Sequence, residues 1–152
     1  MNGKRIAGAV AGGLAAGIAL TALLVTQERK SGKPSELADL GRTATAKLGG
    51  TPPPGDQLPE FREQAAIQGG HLLLSALAGA TYAATTDEDA AIVPSGIAFG
   101  LGFYTAAHWI AGPLLGLKRP EWESDLPTIG LHTANHVLFG LATAAGATAV
   151  RA

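Results

Sequence analysis

The sequence has no cysteine and few charged residues: 11 Lys and Arg and 12 Asp and Glu, which is 15 % of 152 residues. Without cysteine, the chain excludes a disulfide framework, a thiolate nucleophile, a zinc ribbon and an iron–sulfur cluster. A net charge of −1 excludes a strongly basic nucleic-acid-binding protein, so we predict no nucleic-acid partner. With 47 % hydrophobic residues, the chain is also too apolar for an intrinsically disordered protein.

The charges occur in short blocks, and four long uncharged segments separate them: 6–27, 64–86, 90–117 and 126–150. A helix of about 20 apolar residues crosses the hydrocarbon core of a bilayer, whereas buried runs in a soluble α/β domain span only about 4 to 8 residues. We therefore predict an all-α integral membrane protein, with the lipid bilayer as its surroundings. The prediction is a single membrane domain over 1–152, a bundle of four transmembrane helices at about 5–27, 64–86, 92–112 and 127–150.

The first segment also begins like a secretory signal, because Lys4 and Arg5 precede an apolar stretch. Its apolar run is longer than the usual signal core of about 7 to 15 residues. In addition, no A-x-A cleavage site lies between Leu24 and Lys30. These features favour a retained helix over a cleaved signal.

A polar connector, 28–63, separates the first two predicted spans. Ser35 is a typical helix N-cap and Gly49 a typical helix end, so a surface helix over 35–48 and an ordinary solvated connector are both open. Basic residues are more numerous in the first and third connections, so the positive-inside rule predicts that both termini lie outside the cytoplasm. The Lys4–Arg5 pair near the N-terminus argues for the opposite orientation.

Glycine pairs four residues apart recur in the predicted spans, and such pairs let membrane helices approach closely. Examples are Gly8 with Gly12, Gly13 with Gly17, and Gly96 with Gly100, and Gly140 lies on the fourth span. The pattern predicts close packing rich in glycine and alanine.

All four histidines fall inside the predicted spans, and alternating topology places them in one layer of one leaflet. Counted along the helices, they lie roughly 10 to 17 Å from the nearest charge. Ionisable groups at membrane depth indicate a functional site, and His132 and His136 share a helical face. The candidate cofactor-binding residues are His71, His108, His132 and His136, with His132 and His136 the best candidate pair for a metal.

The alternative for the histidines is a set of neutral interhelical hydrogen bonds with nearby polar side chains, and it is the favoured one. The expected partners are Gln68, Tyr104, Ser75 and Asn135. A Ser-His-Asp arrangement is unsupported, because Ser75 and Ser95 have no acidic partner at their depth. We therefore predict no catalytic residues.

Several short motifs resemble the YagU-like family of uncharacterised bacterial inner-membrane proteins. They are His71 followed by Gly79-Ala-Thr-Tyr82, the glycines of span three, Pro113-Leu-Leu-Gly116, His136-Val-Leu-Phe-Gly140, and the segment Glu28-Arg-Lys-Ser-Gly-Lys-Pro-Ser35. The resemblance implies a small protein of the bacterial plasma membrane and adds no mechanism.

Three functions are consistent with this pattern. The favoured one is a non-enzymatic structural or accessory protein, or one that adapts the envelope to stress, with a homo-oligomer or another membrane protein as partner. The second is binding of haem or a transition metal by the four histidines. The favoured expectation, however, is that the protein binds no cofactor. The third is passage of a small solute through an oligomer.

Overall fold

The computed structural model describes residues 3–150, and every regular element in this part of the chain is a helix. In chain order, the elements are α1 (Gly3–Ser31), α2 (Glu36–Lys47), α3 (Phe61–Thr85), α4 (Ile92–Tyr104), a π-helical segment (Thr105–Ala111), α5 (Gly112–Leu114), a 3-10 turn (Glu121–Glu123) and α6 (Leu126–Ala149). The predicted all-α fold is confirmed. Each of the four uncharged segments forms one long stretch of helix, and the third stretch consists of α4, the π-helical segment and α5.

Local sequence signals account for the helix ends. Asp125 caps α6, where its carboxylate accepts a hydrogen bond from the backbone N–H of Thr128 at 2.9 Å. Gly32 and Gly49 follow α1 and α2 with φ angles of 68° and 84°, a left-handed conformation that glycine adopts without a steric penalty. A glycine therefore ends α1 before α2 begins, and another ends α2 within the connector.

The long helices pack through glycines that bring backbones into contact. α1 packs against both α3 and α6, and α6 also packs against α4. A Cβ atom on Gly12 of α1 would overlap the carbonyl oxygen of Ala142 of α6. A Cβ atom on Gly79 of α3 would lie 2.6 Å from the carbonyl oxygen of Ala9 of α1. The close packing through small residues that the sequence predicted is therefore present at these contacts.

Side-chain contacts join α3 to α4 near the end of α3. The Tyr82 hydroxyl lies 2.7 Å from the Ser95 hydroxyl oxygen. Its ring packs edge-on against Phe99 with a centroid separation of 5.3 Å. At the same end, the buried Arg5 of α1 donates hydrogen bonds to the carbonyl oxygen of Ala83 and, at 2.9 Å, to that of Asp87.

The connector is folded rather than extended. A helix, α2, occupies Glu36–Lys47, so the helical alternative for 35–48 is the one observed. The buried Arg42 joins α2 to the following chain: its guanidinium donates to the Glu63 carboxylate at 2.6 Å and to the carbonyl oxygen of Gln57 at 2.7 Å. This contact raises the pKa of Arg42 above its ordinary value, because the carboxylate stabilises the charged form. The position of α2 on a membrane surface stays a prediction.

Within residues 3–150, one helix, α1, is long and apolar enough to qualify as a membrane span. A signal sequence or a core helix of a soluble protein passes the same test. α4 is only 13 residues long, because the π-helical segment interrupts the regular helix at Thr105. α3 and α6 carry histidine, glutamine and asparagine side chains, which lower their hydropathy.

Candidate functional site

The four histidines line one open cavity of about 230 Å³ between the helices. His71 reaches it from α3, His108 from the π-helical segment, and His132 and His136 from α6. Leucine and phenylalanine side chains complete the wall, and α2 contributes Glu36, Leu37 and Leu40 to it. The other lining residues include Leu20, Leu24, Phe103 and Phe139.

Three of the histidines contact one another. The ring of His108 lies 4.8 Å from that of His132 and 4.9 Å from that of His136, measured between centroids. His71 lies on the same cavity but bonds elsewhere: its Nδ1 is 3.2 Å from the Thr21 hydroxyl of α1. The structure therefore brings together the residues that the sequence placed in one layer, with His71 at the margin.

The predicted distance between the histidines and the nearest charges is wrong. The Lys118 ammonium lies 2.7 Å from Nδ1 of His108, and a carboxylate oxygen of Glu121 lies 2.6 Å from Nδ1 of His132. Helical rise measures distance only along the chain, and here the chain folds back on itself. After α5 it reverses at Gly116, whose φ is 61°, and returns to the bundle.

The π-helical segment positions His108. Pro113 has no backbone N–H, and its ring excludes the carbonyl of the residue four positions earlier, so the regular helical pattern fails just before it. The helix widens over Thr105–Ala111, and the N–H of Gly112 bonds to the carbonyl oxygen of Ala107, five residues back. Segments of this kind occur often at functional sites.

Glu121 is fully buried and lies at the centre of the polar contacts. The turn that carries it follows Pro120 and packs on the π-helical segment. The Tyr104 hydroxyl donates to one carboxylate oxygen at 2.9 Å, and the Lys118 ammonium donates to the other at 2.7 Å. Burial alone would raise the pKa of Glu121, but the hydrogen bonds from Lys118, His132 and Tyr104 prevail and lower the pKa to about 2.

Glu36, the first residue of α2, brings the connector to the same place. Its backbone position is set by the N-cap Ser35, whose N–H and hydroxyl both donate to the buried Glu28 carboxylate at 2.8 and 2.5 Å. The Glu36 carboxylate lies 2.9 Å from Nε2 of His132. The hydrogen bond from His132, opposed by burial and reinforced by Lys118, lowers the pKa of Glu36 to about 2.

Lys118 joins the two carboxylates. Its ammonium is 2.6 Å from an oxygen of Glu36 and 2.7 Å from an oxygen of Glu121. Burial opposes the charge, but these two carboxylates outweigh it, so the pKa of Lys118 is raised. The side chain therefore carries its positive charge into the cluster.

One donor atom from each of Glu36, His108, Glu121 and His132 lies within 4.8 Å of the other three. We call these four residues the His/Glu cluster. His136 is outside it: its Nδ1 lies 2.8 Å from the carbonyl oxygen of His132 in its own helix. The sequence predicted the pair of His132 with His136, whereas the cluster pairs His132 with His108 and two glutamates.

Three of the four hydrogen-bond partners expected for the histidines make other contacts. The Ser75 hydroxyl donates to the carbonyl oxygen of His71 in its own helix, at 2.9 Å, and Gln68 accepts from Thr21 at 2.8 Å. Tyr104 bonds to Glu121 but packs its ring 5.1 Å from that of His136. Sequence reasoning missed Glu36, Lys118 and Glu121, because they lie in connectors and no spacing rule joins them to the helices.

No protein-family model, curated protein or solved structure matches this chain.

Proposed function

We propose that this chain is a small integral membrane protein whose four long helical stretches cross the plasma membrane of a bacterium. The observation that carries the proposal is the distribution of side-chain size. The buried core consists of alanines and two tyrosines, whereas large apolar side chains lie on the outside of the helices. Those at least half exposed on the long helical stretches include Ile18, Leu73, Leu74, Leu77, Val93, Ile110 and Leu138.

This distribution suits lipid better than water. A soluble protein of this size gains most of its stability by burying leucine, isoleucine and phenylalanine side chains. In a bilayer these side chains contact lipid, and small residues mediate the packing between helices. In the apolar 18-residue stretch of α1, only 22 % is buried, which is low for the core helix of a soluble protein.

Cysteine accessibility tests the proposal directly, because the natural chain has no cysteine. Leu73→Cys and Leu138→Cys, whose leucines are 61 % and 63 % exposed, should resist a water-soluble maleimide in native membranes. Leu48→Cys is the matched control, since Leu48 is 88 % exposed and lies in the connector. Equal labelling at all three positions would contradict the membrane proposal.

The same reagent tests the orientation. With both termini outside the cytoplasm, the connector carrying Leu48 is cytoplasmic and the turn carrying Asp89 is external. A membrane-impermeant maleimide should then label Asp89→Cys in intact cells and Leu48→Cys only after permeabilisation. The reverse pattern would place the termini inside.

We infer a non-enzymatic accessory or structural role in the membrane. The histidines and carboxylates are held by internal contacts, and Lys118 offsets part of the negative charge of Glu36 and Glu121. The bundle interior beyond the histidines contains aromatic rings: Phe103 lies 5.6 Å from Phe139 and 6.3 Å from Phe99, between centroids. This row of rings extends from the wall of the cavity to Tyr82. It disfavours solute passage through one copy of the chain.

The alternative functions have separate tests. Passage through an oligomer predicts solute flux into proteoliposomes. Haem binding predicts a Soret band in the purified protein, although His108, His132 and His136 are in mutual contact and cannot lie on opposite faces of a macrocycle. A structural role predicts a colourless protein that forms a defined homo-oligomer or complex. Membership of the YagU-like family stays a prediction.

A further inference from the structure

We propose that the His/Glu cluster is a binding site for a divalent transition-metal ion such as Zn²⁺, and that Lys118 occupies the position of the metal until the ion displaces it. The ligands would be Glu36, His108, Glu121 and His132. The site does not depend on whether the helices cross a bilayer, so it stands or falls separately from the proposed function.

The donor set suits this class of metal. Two imidazole nitrogens and two carboxylate oxygens make a four-coordinate set, and zinc binds both types of donor at about 2.0–2.2 Å. Donor atoms bound to one ion therefore lie at most about 4.4 Å apart, twice the bond length. The four donors already lie within 4.8 Å of one another, so binding requires only a small contraction.

The position of Lys118 indicates that the cluster accommodates a cation. Its ammonium contacts three of the four ligands at 2.6 to 2.7 Å: Glu36, His108 and Glu121. It therefore lies where a metal bound to the same atoms would lie. Displacement releases the ammonium from these contacts, and a dication then balances the two carboxylates.

The cluster also has the supporting contacts of a metal site. The Tyr104 hydroxyl holds the Glu121 carboxylate at 2.9 Å, and the Ser35–Glu28 contact holds the backbone of Glu36. Outer contacts of this kind orient metal ligands and contribute to metal affinity. His132 binds through one ring nitrogen, and any proton on that nitrogen passes to solvent.

The test is calorimetric titration of the full-length protein in detergent with ZnCl₂. We expect one zinc per chain in the wild type. Glu121→Gln and His132→Gln should each weaken binding at least about tenfold, because each removes a ligand. His71→Gln is the matched control: it lies on the same cavity, bonds to Thr21, and should leave the affinity unchanged.

Lys118→Met tests the displacement. Removal of the competing ammonium should tighten zinc binding roughly tenfold. Lys47→Met removes an equal charge from the exposed end of α2 and should leave the affinity unchanged. Circular dichroism of each variant establishes that it is folded.

The outcomes separate the two parts of the proposal. No zinc binding by either the wild type or Lys118→Met would overturn the site. If Lys118→Met binds zinc with an affinity equal to or weaker than that of the wild type, the displacement is overturned, but the metal site stands. Zinc binding by Lys118→Met but not by the wild type would support the site and overturn the displacement, because Lys118 would then exclude the ion. A change for His71→Gln equal to that for His132→Gln would assign the binding to other residues.

Discussion

Gly100 of α4 packs directly on the backbone of His136 of α6, so closely that a Cβ atom on Gly100 would overlap the His136 carbonyl oxygen. One turn further along, the Tyr104 and His136 rings are 5.1 Å apart, and Tyr104 bonds to Glu121. The closeness of these two helices therefore sets the geometry of the His/Glu cluster.

Substitution of Gly100 should separate the two helices. We expect Gly100→Ala to lower the free energy of unfolding by roughly 1–3 kcal/mol, the usual cost of overpacking. Gly102 on the same helix is the control, because a Cβ atom there would have open space. Gly102→Ala should be neutral or slightly stabilising, since alanine favours helix. Thermal unfolding in detergent, followed by circular dichroism, measures both; an equal effect would contradict this packing.

Loss of the Tyr104 hydroxyl should affect both stability and zinc affinity. Tyr104→Phe removes one donor from the buried Glu121 and should cost about 1 kcal/mol of stability, since Lys118 and His132 still bond to that carboxylate. Tyr82→Phe, at the other end of the bundle, removes a comparable hydrogen bond to Ser95. If only a general loss of stability matters, both variants will change zinc affinity equally; we expect a change for Tyr104→Phe alone.

Arg42 should control the docking of α2. Arg42→Met leaves the Glu63 carboxylate and the carbonyl oxygen of Gln57 without this donor, a loss of roughly 1–3 kcal/mol. Amide hydrogen exchange over 36–47 should accelerate, while exchange in α6 stays slow. Arg62→Met, at an exposed position, should change neither region. Unchanged exchange in Arg42→Met would show that other contacts hold α2.

Zinc should stabilise the folded protein against heat. A ligand that binds only the folded state adds about 2.7 kcal/mol when its concentration is one hundred times Kd. We expect zinc to raise the melting temperature of the wild type, a chelator to reverse this rise, and the rise to be smaller in Glu121→Gln at the same zinc concentration. A rise of equal size in Glu121→Gln would mean that zinc acts elsewhere on the protein.

The positions of the helices follow from the amino-acid sequence alone. Uncharged runs with glycine, proline and cap residues at their ends locate all four long helical stretches, because helix boundaries depend on nearby residues. The spacing of glycines indicated close packing, and alternating helix direction placed the four histidines at one level. The helix positions, the glycine spacing and the level of the histidines all depend on the local order of residues along the chain.

Which groups contact the histidines depends on the tertiary structure. Glu36 lies 72 residues from His108, and Lys118 and Glu121 lie in a connector whose path depends on the turn at Gly116. The hydrophobic pattern shows which segments are apolar, but it does not determine how a polar connector folds back onto the helices. The burial of Glu121 beside His132 and Lys118 results from that return of the chain, which brings charge to the level of the histidines.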